Sequence, residues 1–330
     1  MKAAYYERPG SAADVLCVGE VAEPTPGMGE VLVHVAVSAV HPSDVKARGG
    51  ARGALAFPRI TPHSDGAGRI IAVGTGVDPA RIGQRVWVWN AAWQRANGTA
   101  AELVALPSEQ AVDLPDGVDF ETGATLGIPA MTAYRCLFSD GPVDGQVVLV
   151  TGGAGTVGSM AIQMAKRAGA TVIATVSGDE KAALARKMGA HHVVNYRDEN
   201  AIVQIKQAAG SMGVDRVVEV EFGGNFATTQ AVLRDGGTVA TYGSMAVPEP
   251  VLPFYPLMFM NFNLRMVIVY STPPEVRRLA EADIANWLSE GTLRGVIADR
   301  FDLDDIVAAH GAVETGQRVG VTLVRVSSDI

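Results

Sequence analysis

Residues 41–50 read HPSDVKARGG, which puts an imidazole at His41, a carboxylate at Asp44, an ammonium at Lys46 and a guanidinium at Arg48 within ten positions. Metal ligation, acid/base work and a capped turn of helix all draw on such residues. A thiolate zinc site needs more sulfur than Cys17 and Cys136 supply, and neither has a partner at C-x-x-C spacing, so neither that site nor a disulfide framework can be built. Lys46, and His41 when protonated, can stabilise negative charge developing on a substrate oxygen, a task that a Lewis-acidic ion otherwise performs. Asp44 and Arg48 read as a helix cap and a closing ion pair.

A second chemical signal is VVLVTGGAGTVGSMAIQMAKRAGA, in which Gly153-x-Gly155-x-x-Gly158 follows a buried strand and opens a helix. The apolar positions 157, 160, 161, 164, 165 and 168 of that helix share one face. In this context Gly153 permits a tight turn, Gly155 lets a pyrophosphate approach the backbone, and Gly158 lets helix and strand pack closely. Ala154, Thr156 and Val157 complete a loop whose amides face phosphates at the helix N-terminus. The next strand, TVIATV, ends in Ser177-Gly178 rather than in an acidic residue, with Lys181 beyond. A small hydroxyl, a glycine and a lysine suit a 2′-phosphate, so NADPH is expected over NADH. The alternative is that Asp179 caps the following helix and Lys181 is a solvated charge.

The segment WVWNAAWQRANG supplies Trp87, Trp89 and Trp93; one face of that strand is core, and Asn90 and Trp93 are candidates to line a substrate pocket and stack a flat ring. Glu219 and Glu221 alternate onto one face near the end of a later strand, where either accepting from a ribose hydroxyl or pairing with a lysine fits. His63 reads as a loop residue; His191, His192 and His310 read as structural residues at helix-strand junctions.

These residues need elements to hold them. Up to Leu114 the apolar runs are short and bounded by glycine or proline (EVLVHVAV, GRIIAVG, QRVWVWN, AAELVAL), which is β-rich texture. From Gln146 continuous apolar strands alternate with helices, through VVLVTGG, ATVIATVS, DEKAALARKMG, HHVVNY, NAIVQIKQAAG, VDRVVEV, a helix through TTQAVLR, and GGTVATYG. That alternation predicts an α/β, doubly wound parallel sheet. A charged helix (PEVRRLAEADIANWLSEG), a short one (DDIVAAHGAVETG) and a last strand, VGVTLVRV, follow, the strand being a candidate to rejoin the first domain. With 48% hydrophobic residues, 19% charged and a net charge of -8, the chain can bury a large core and offers no basic footprint for nucleic acid or an anionic membrane. The N-terminus MKAAYYERPG lacks the apolar core of a signal peptide and no apolar run spans a bilayer, so a soluble, cytoplasmic protein is expected.

Taken together, GEVLVHVAVSAVHPSDVKARGG, ITPHSDGAGRIIAVGTGV, GTAAELVALP, LPDGVDFETGATLGIPAMTAYRCLF, the glycine loop, KMGAHHVVNYR and AAHGAVETG resemble the zinc-independent medium-chain dehydrogenases/reductases of the NADPH:quinone oxidoreductase (zeta-crystallin-like) branch, nearly end to end. The resemblance implies a GroES-like catalytic domain over 1–122, a Rossmann domain over 123–268, and a segment 269–330 returning to the catalytic domain, with the active site in the cleft between the domains. It implies a homodimer joined through LRMVIVY, and reduction of quinones or related enones and 2-alkenals by hydride from NADPH. A 2-enoyl thioester reductase, or an NADPH-binding structural or regulatory protein with little turnover, are the alternatives.

By position, the resemblance places Thr132 near the nicotinamide carboxamide, Ser177, Lys181 and Tyr196 around the adenosine 2′-phosphate, and Gly243 and Ser244 along the nicotinamide half. In the family the opening segment runs asparagine, two variable residues, aspartate, one variable residue, tyrosine, and an arginine two further on. Asp44 and Arg48 match; His41 replaces the asparagine and Lys46 the tyrosine, which makes those two the candidate catalytic residues. Zinc relatives place a cysteine at His41 and a histidine-glutamate pair at Ser64-Asp65, with His63 one residue off the ligand position, so no metal is expected.

Overall fold

The structure is a computed structural model and describes residues 1–51, 53–317 and 319–327. The first half begins with β1 (Lys2–Tyr5), α1 (Ala12–Val15) and β2 (Cys17–Glu20), and continues with the long strand β3 (Glu30–Val40). Then come α2 (Pro42–Arg48), β4 (Asp65–Val73), β5 (Arg85–Val88), β6 (Leu103–Pro107), β7 (Ala111–Asp113) and α3 (Phe120–Ala124). From α4 (Gly127–Phe138) strands and helices alternate: β8 (Val147–Val150), α5 (Thr156–Arg167), β9 (Thr171–Val176), α6 (Asp179–Met188), β10 (His192–Asn195), α7 (Ala201–Ala209), β11 (Val214–Glu219), α8 (Phe222–Val232), β12 (Leu233–Thr241), α9 (Phe254–Phe259) and β13 (Asn263–Met266). The chain closes with α10 (Pro274–Ser289), β14 (Ile297–Asp302), α11 (Ile306–Glu314) and β15 (Val321–Arg325).

The chain divides into two compact units, one of Met1–Ile128 with Glu281–Ile330 and one of Pro129–Ala280. The first unit is built on a sheet of order β14-β15-β3-β4-β5-β7, with β6 also paired to β3. Val31, Val33, Val35, Ile70, Val86, Val88, Val104 and Leu106 fill its core from alternate strand positions. β15 pairs antiparallel with β3 (Thr322 opposite Val40), so the closing run VGVTLVRV joins the sheet of the N-terminal half. Its parallel partner β14 carries Asp299, Arg300 and Asp302; an edge strand that keeps charges toward water shows no apolar alternation, and it escapes a reading of periodicity.

In the second unit all six strands are parallel in the order β10-β9-β8-β11-β12-β13. In chain order that is 3-2-1-4-5-6, the doubly wound arrangement whose switch point falls between β8 and β11. Leu149, Ile173, Val194, Val217 and Val239 are buried in its core, as strands covered by helices on both faces require.

Three local expectations change. The helix read through TTQAVLR stops at Val232, and Leu233 and Arg234 already belong to β12. LRMVIVY is strand only as far as Met266, after which Val269–Ser271 forms a 3-10 turn. His310 is not at a junction; it lies inside α11 and is fully buried.

Candidate active site

The loop after β8 departs from its expected division of labour. The left-handed turn is taken by Gly152 (φ +63°), not Gly153. A Cβ on Gly153 would come 2.8 Å from the Cβ of Ala174 in β9, so that glycine is required by packing. Gly158 behaves as expected: a Cβ there would sit 2.3 Å from the carbonyl oxygen of Gly152. Gly155 caps α5, and the nearest atom to a Cβ there is the Gly152 oxygen at 3.2 Å, leaving its outer side open. The amides of Thr156, Val157 and Gly158 start the helix and have no intrahelical acceptors. A diphosphate would satisfy them and the helix dipole at once, so this loop fits a dinucleotide.

The carboxyl ends of β9 and β10 lie side by side, with Val176 opposite Asn195 and the Tyr196 amide donating to the Val176 carbonyl at 3.0 Å. This brings Ser177 and Gly178 next to the exposed Tyr196. Lys181 follows in α6, whose N-cap is Gly178; Asp179 is the first helical residue, not the cap. Arg197, which spacing does not single out, sets its guanidinium carbon 5.9 Å from the Tyr196 ring centroid. Arg197 comes to this end of the sheet through the β9–β10 pairing, two residues past Asn195.

Gly243 and Ser244 follow β12. A Cβ on Gly243 would lie 2.5 Å from the Val220 carbonyl, and the Gly243 carbonyl accepts from the Phe222 amide at 2.8 Å. Ser244 Oγ accepts from the Gly223 amide at 2.9 Å and donates to the Val247 carbonyl at 2.6 Å. Glu221, the N-cap of α8, grips the same loop, its carboxylate accepting from the Met245 amide at 2.7 Å and the Ala246 amide at 3.0 Å. Glu219 is fully buried and accepts from Thr151 Oγ1, the Glu221 amide and Asn225 Nδ2 at 2.7–2.8 Å. Both carboxylates therefore hold the protein's own amides and hydroxyls rather than a lysine. Thr132 is buried in α4, a helix that the sequence pattern does not announce.

In the first unit HPSDVKARGG forms α2, with His41 as N-cap, Pro42 at the first helical position and Gly49 as C-cap. Asp44 accepts from the His41 amide at 2.8 Å, and Arg48 ion-pairs with Glu314, the cap and closing pair expected of them. His41 is 2% exposed and its Nε2 donates to Asp65 Oδ2 at 2.7 Å; the same oxygen accepts from the Ile128 amide at 2.6 Å. The imidazole is thus a buried, oriented group tied to a carboxylate. Lys46 is exposed on α2.

His41 and Asp65 are the donors at the positions where zinc relatives ligate, and Ser64 completes them. Among the described residues no group of three or more His, Cys, Asp or Glu side chains is arranged to hold an ion. His63 turns away from these positions, its Nδ1 2.8 Å from Ser38 Oγ and its Nε2 2.9 Å from His310 Nε2. This donor set does not fit zinc. Cys136 is buried, and burial pushes its thiol up to about 12, so it supplies no nucleophile at neutral pH.

Of the two substrate-pocket candidates, Trp93 lines a pocket of about 200 Å³ in this unit, while Asn90 is buried beside it with φ +61° and does not line it. The α2 residues on the pocket wall are Asp44 and Ala47, not His41 or Lys46. Trp87 and Trp89 are core residues.

Residues 27–116 match the alcohol dehydrogenase GroES-like domain family and residues 156–285 the zinc-binding dehydrogenase family. Human quinone oxidoreductase is 31% identical over 306 residues, 91% of each chain. The native structure of a mycobacterial quinone oxidoreductase superposes with a TM-score of 0.88 at 27% identity over 98% of this chain and 99% of that one. A mycobacterial protein solved with NADPH gives 0.87 at 27% identity over 98% and 100%. The crystal structure of a 2-haloacrylate reductase gives 0.85 at 26% identity over 99% and 100%. Two matching domains and a relative of this identity over nine-tenths of its length place the chain: it belongs to the medium-chain dehydrogenase/reductase family, in the quinone oxidoreductase (zeta-crystallin-like) branch, and is a nicotinamide-dependent oxidoreductase.

Proposed function

We propose that the protein is a zinc-independent, NADPH-dependent reductase of quinones or related conjugated carbonyls such as enones and 2-alkenals. The observation that carries it is the open face at Gly155, where the start of α5 meets the switch point of a 3-2-1-4-5-6 sheet. The phosphate preference is supported by Ser177 and Tyr196 at the adjoining ends of β9 and β10, with Arg197 over the Tyr196 ring and Lys181 in the first turn of α6, and by the relative solved with NADPH. The relatives named quinone oxidoreductase and 2-haloacrylate reductase support the acceptor class.

When bound, the reduced nicotinamide supplies the hydride. The chain's own tasks are to seat the dinucleotide on 153–158, to shape the nicotinamide end with Thr132 and the loop at Gly243 and Ser244, and to neutralise charge on the acceptor oxygen. Lys46 is the cationic candidate for the last task. Asp65 at Nε2 and the Asp44 amide of the capping box together orient His41 and make it a hydrogen-bonding support to the site.

A homodimer is part of the proposal. β13 is an open sheet edge, and Met266, Ile268, Phe254, Tyr255 and Phe259 are all more than half exposed around it, an apolar surface that a second copy would cover. Among the described residues no helix is long and apolar enough to cross a membrane, and a cytoplasmic location is proposed with the rest. The direct test is NADPH and NADH oxidation against a panel of quinones and enones. Turnover of about 1 per second or more with some acceptor and a lower KM for NADPH is expected. Turnover below about one per minute with every acceptor would leave a dinucleotide-binding protein instead.

A further inference from the structure

We infer that the pocket of about 200 Å³ in the first unit receives one flat ring of the acceptor, so that conjugated carbonyls bearing an aryl or quinoid ring are preferred over straight-chain ones. The inference rests on the reductase reading and specifies which part of the acceptor this chain recognises.

Size comes first. A dry protein cavity of roughly 150 Å³ takes benzene, so about 200 Å³ admits a six-membered ring with one or two substituents. The walls agree with that occupant, since Leu55, Phe57, Ile60, Pro62 and Trp93 present apolar and aromatic surface, and a flat ring can stack on Phe57 or Trp93.

The backbone points the same way. Four described non-glycine residues have φ in the left-handed region, and two of them, His63 (+76°) and Gln94 (+57°), line this pocket, while a third, Asn90 (+61°), opens the segment that carries Trp93. Such conformations persist where the surroundings over-determine them, and they gather at ligand sites. The surroundings here are explicit. The His63 carbonyl accepts from the Thr99 amide at 2.9 Å and the Ser64 carbonyl from the Ala91 amide at 2.9 Å. Gly98 is pressed so closely on this floor that a Cβ would lie 2.2 Å from the His63 oxygen. A pocket with a fixed floor takes a rigid ring without an ordering cost, whereas an alkyl chain must give up rotamers and fills less of the space.

The test pairs 4-phenyl-3-buten-2-one with 3-penten-2-one, which differ only in phenyl against methyl on the β-carbon, using the full chain with NADPH. In the wild type the aryl enone should have a KM at least tenfold lower. Trp93→Ala removes one wall and Leu55→Trp fills the space; in each, the aryl-to-alkyl ratio of kcat/KM should fall at least tenfold, a comparison that cancels the intrinsic reactivity of the two enones. A ratio unchanged within twofold in both variants, or a lower wild-type KM for the alkyl enone, overturns the inference. Calorimetric binding of the saturated ketone 4-phenylbutan-2-one tests the pocket without turnover. Binding to the wild type but not to Leu55→Trp upholds the ring pocket even where no acceptor is reduced and the reductase reading has failed. Equal binding to both, or to neither, removes it.

Discussion

The imidazoles of His63 and His310, 247 positions apart in the chain, meet Nε2 to Nε2 at 2.9 Å with both rings fully buried and stacked. Arg48 Nε donates to His310 Nδ1 at 3.3 Å, which leaves Nε2 of His310 as the protonated nitrogen. His63 must then accept at Nε2 and donate from Nδ1 to Ser38 Oγ at 2.8 Å. Ser38 passes its proton to Thr99 Oγ1 at 2.8 Å, and Thr99 donates to the Asp65 carbonyl at 2.6 Å. Every member has one direction available to it, and both histidines are neutral. The chain ties α11, α2, β3 and the 62–65 segment together beneath the pocket floor.

That neutrality makes a pH prediction. Burial, with Arg48 alongside, holds His310 down at about 3, and burial with His310 and His41 nearby holds His63 well below the ordinary 6.5. Below pH 6.5 the unfolded chain takes up protons that the folded chain refuses. The stability from this pair is therefore complete above 6.5 and is lost as pH falls below 6.5, for His310 down to about 3. Urea unfolding at pH 7 and pH 5.5 should show it, and His310→Gln, which keeps an acceptor and a donor, should flatten the dependence. An identical slope in wild type and variant would mean that other groups carry the acid sensitivity.

How much of this is readable from the chain alone depends on the range of the contacts. The alternation from Gln146 onward marks the doubly wound sheet because strand burial and helix amphipathicity are local. Gly155 at the helix start and Asp44 as a cap are likewise decided within four residues. The partners of His63 and His310 are not, since separations of 25 and 247 residues leave no local pattern. Ser38 gives one hint, a hydroxyl within the buried run VLVHVAVSAV, where a polar group needs a partner. Gly152 taking the turn from Gly153, and Tyr196 with Arg197 coming to the end of β9, follow from how strands pack and pair, which spacing does not report.

Glu221 offers a second prediction. Its carboxylate clasps two successive amides of the loop after Gly243 and Ser244, and a hydrogen bond to a charged group is worth about 1.5–3 kcal/mol. Glu221→Gln keeps one acceptor and turns an NH2 toward an amide. Titration by protein fluorescence should show NADPH affinity weakened about tenfold, with kcat changed less than KM. Unchanged affinity would make the clasp a feature of the fold alone.

The third concerns the adenosine end. Lys181→Ala and Arg197→Ala each remove a cation from the neighbourhood of Ser177 and Tyr196. An exposed charge near a phosphate contributes on the order of 1 kcal/mol, so KM for NADPH should rise about fivefold with each and tenfold or more with both. KM for NADH, which has no 2′-phosphate, should stay within twofold. Equal losses for the two cofactors would return both side chains to the solvated surface.

The last prediction separates Lys46 from His41. Lys46 is exposed on α2, while His41 is buried against Asp65, so substitutions at the two positions should fail differently. Lys46→Met keeps an unbranched side chain one atom shorter and removes the charge. If the ammonium stabilises charge on the acceptor oxygen, kcat/KM for the acceptor should fall about tenfold or more, with NADPH affinity and thermal stability unaltered. His41→Ala leaves the Asp65 carboxylate buried with one partner fewer, the loss of a hydrogen bond to a charged group worth about 1.5–3 kcal/mol, so its main effect should be a lower Tm. Steady-state kinetics on Lys46→Met and calorimetry on His41→Ala decide the assignment. A rate that survives the loss of Lys46, together with a stable but inactive His41 variant, would transfer the catalytic role from the exposed lysine to the buried imidazole.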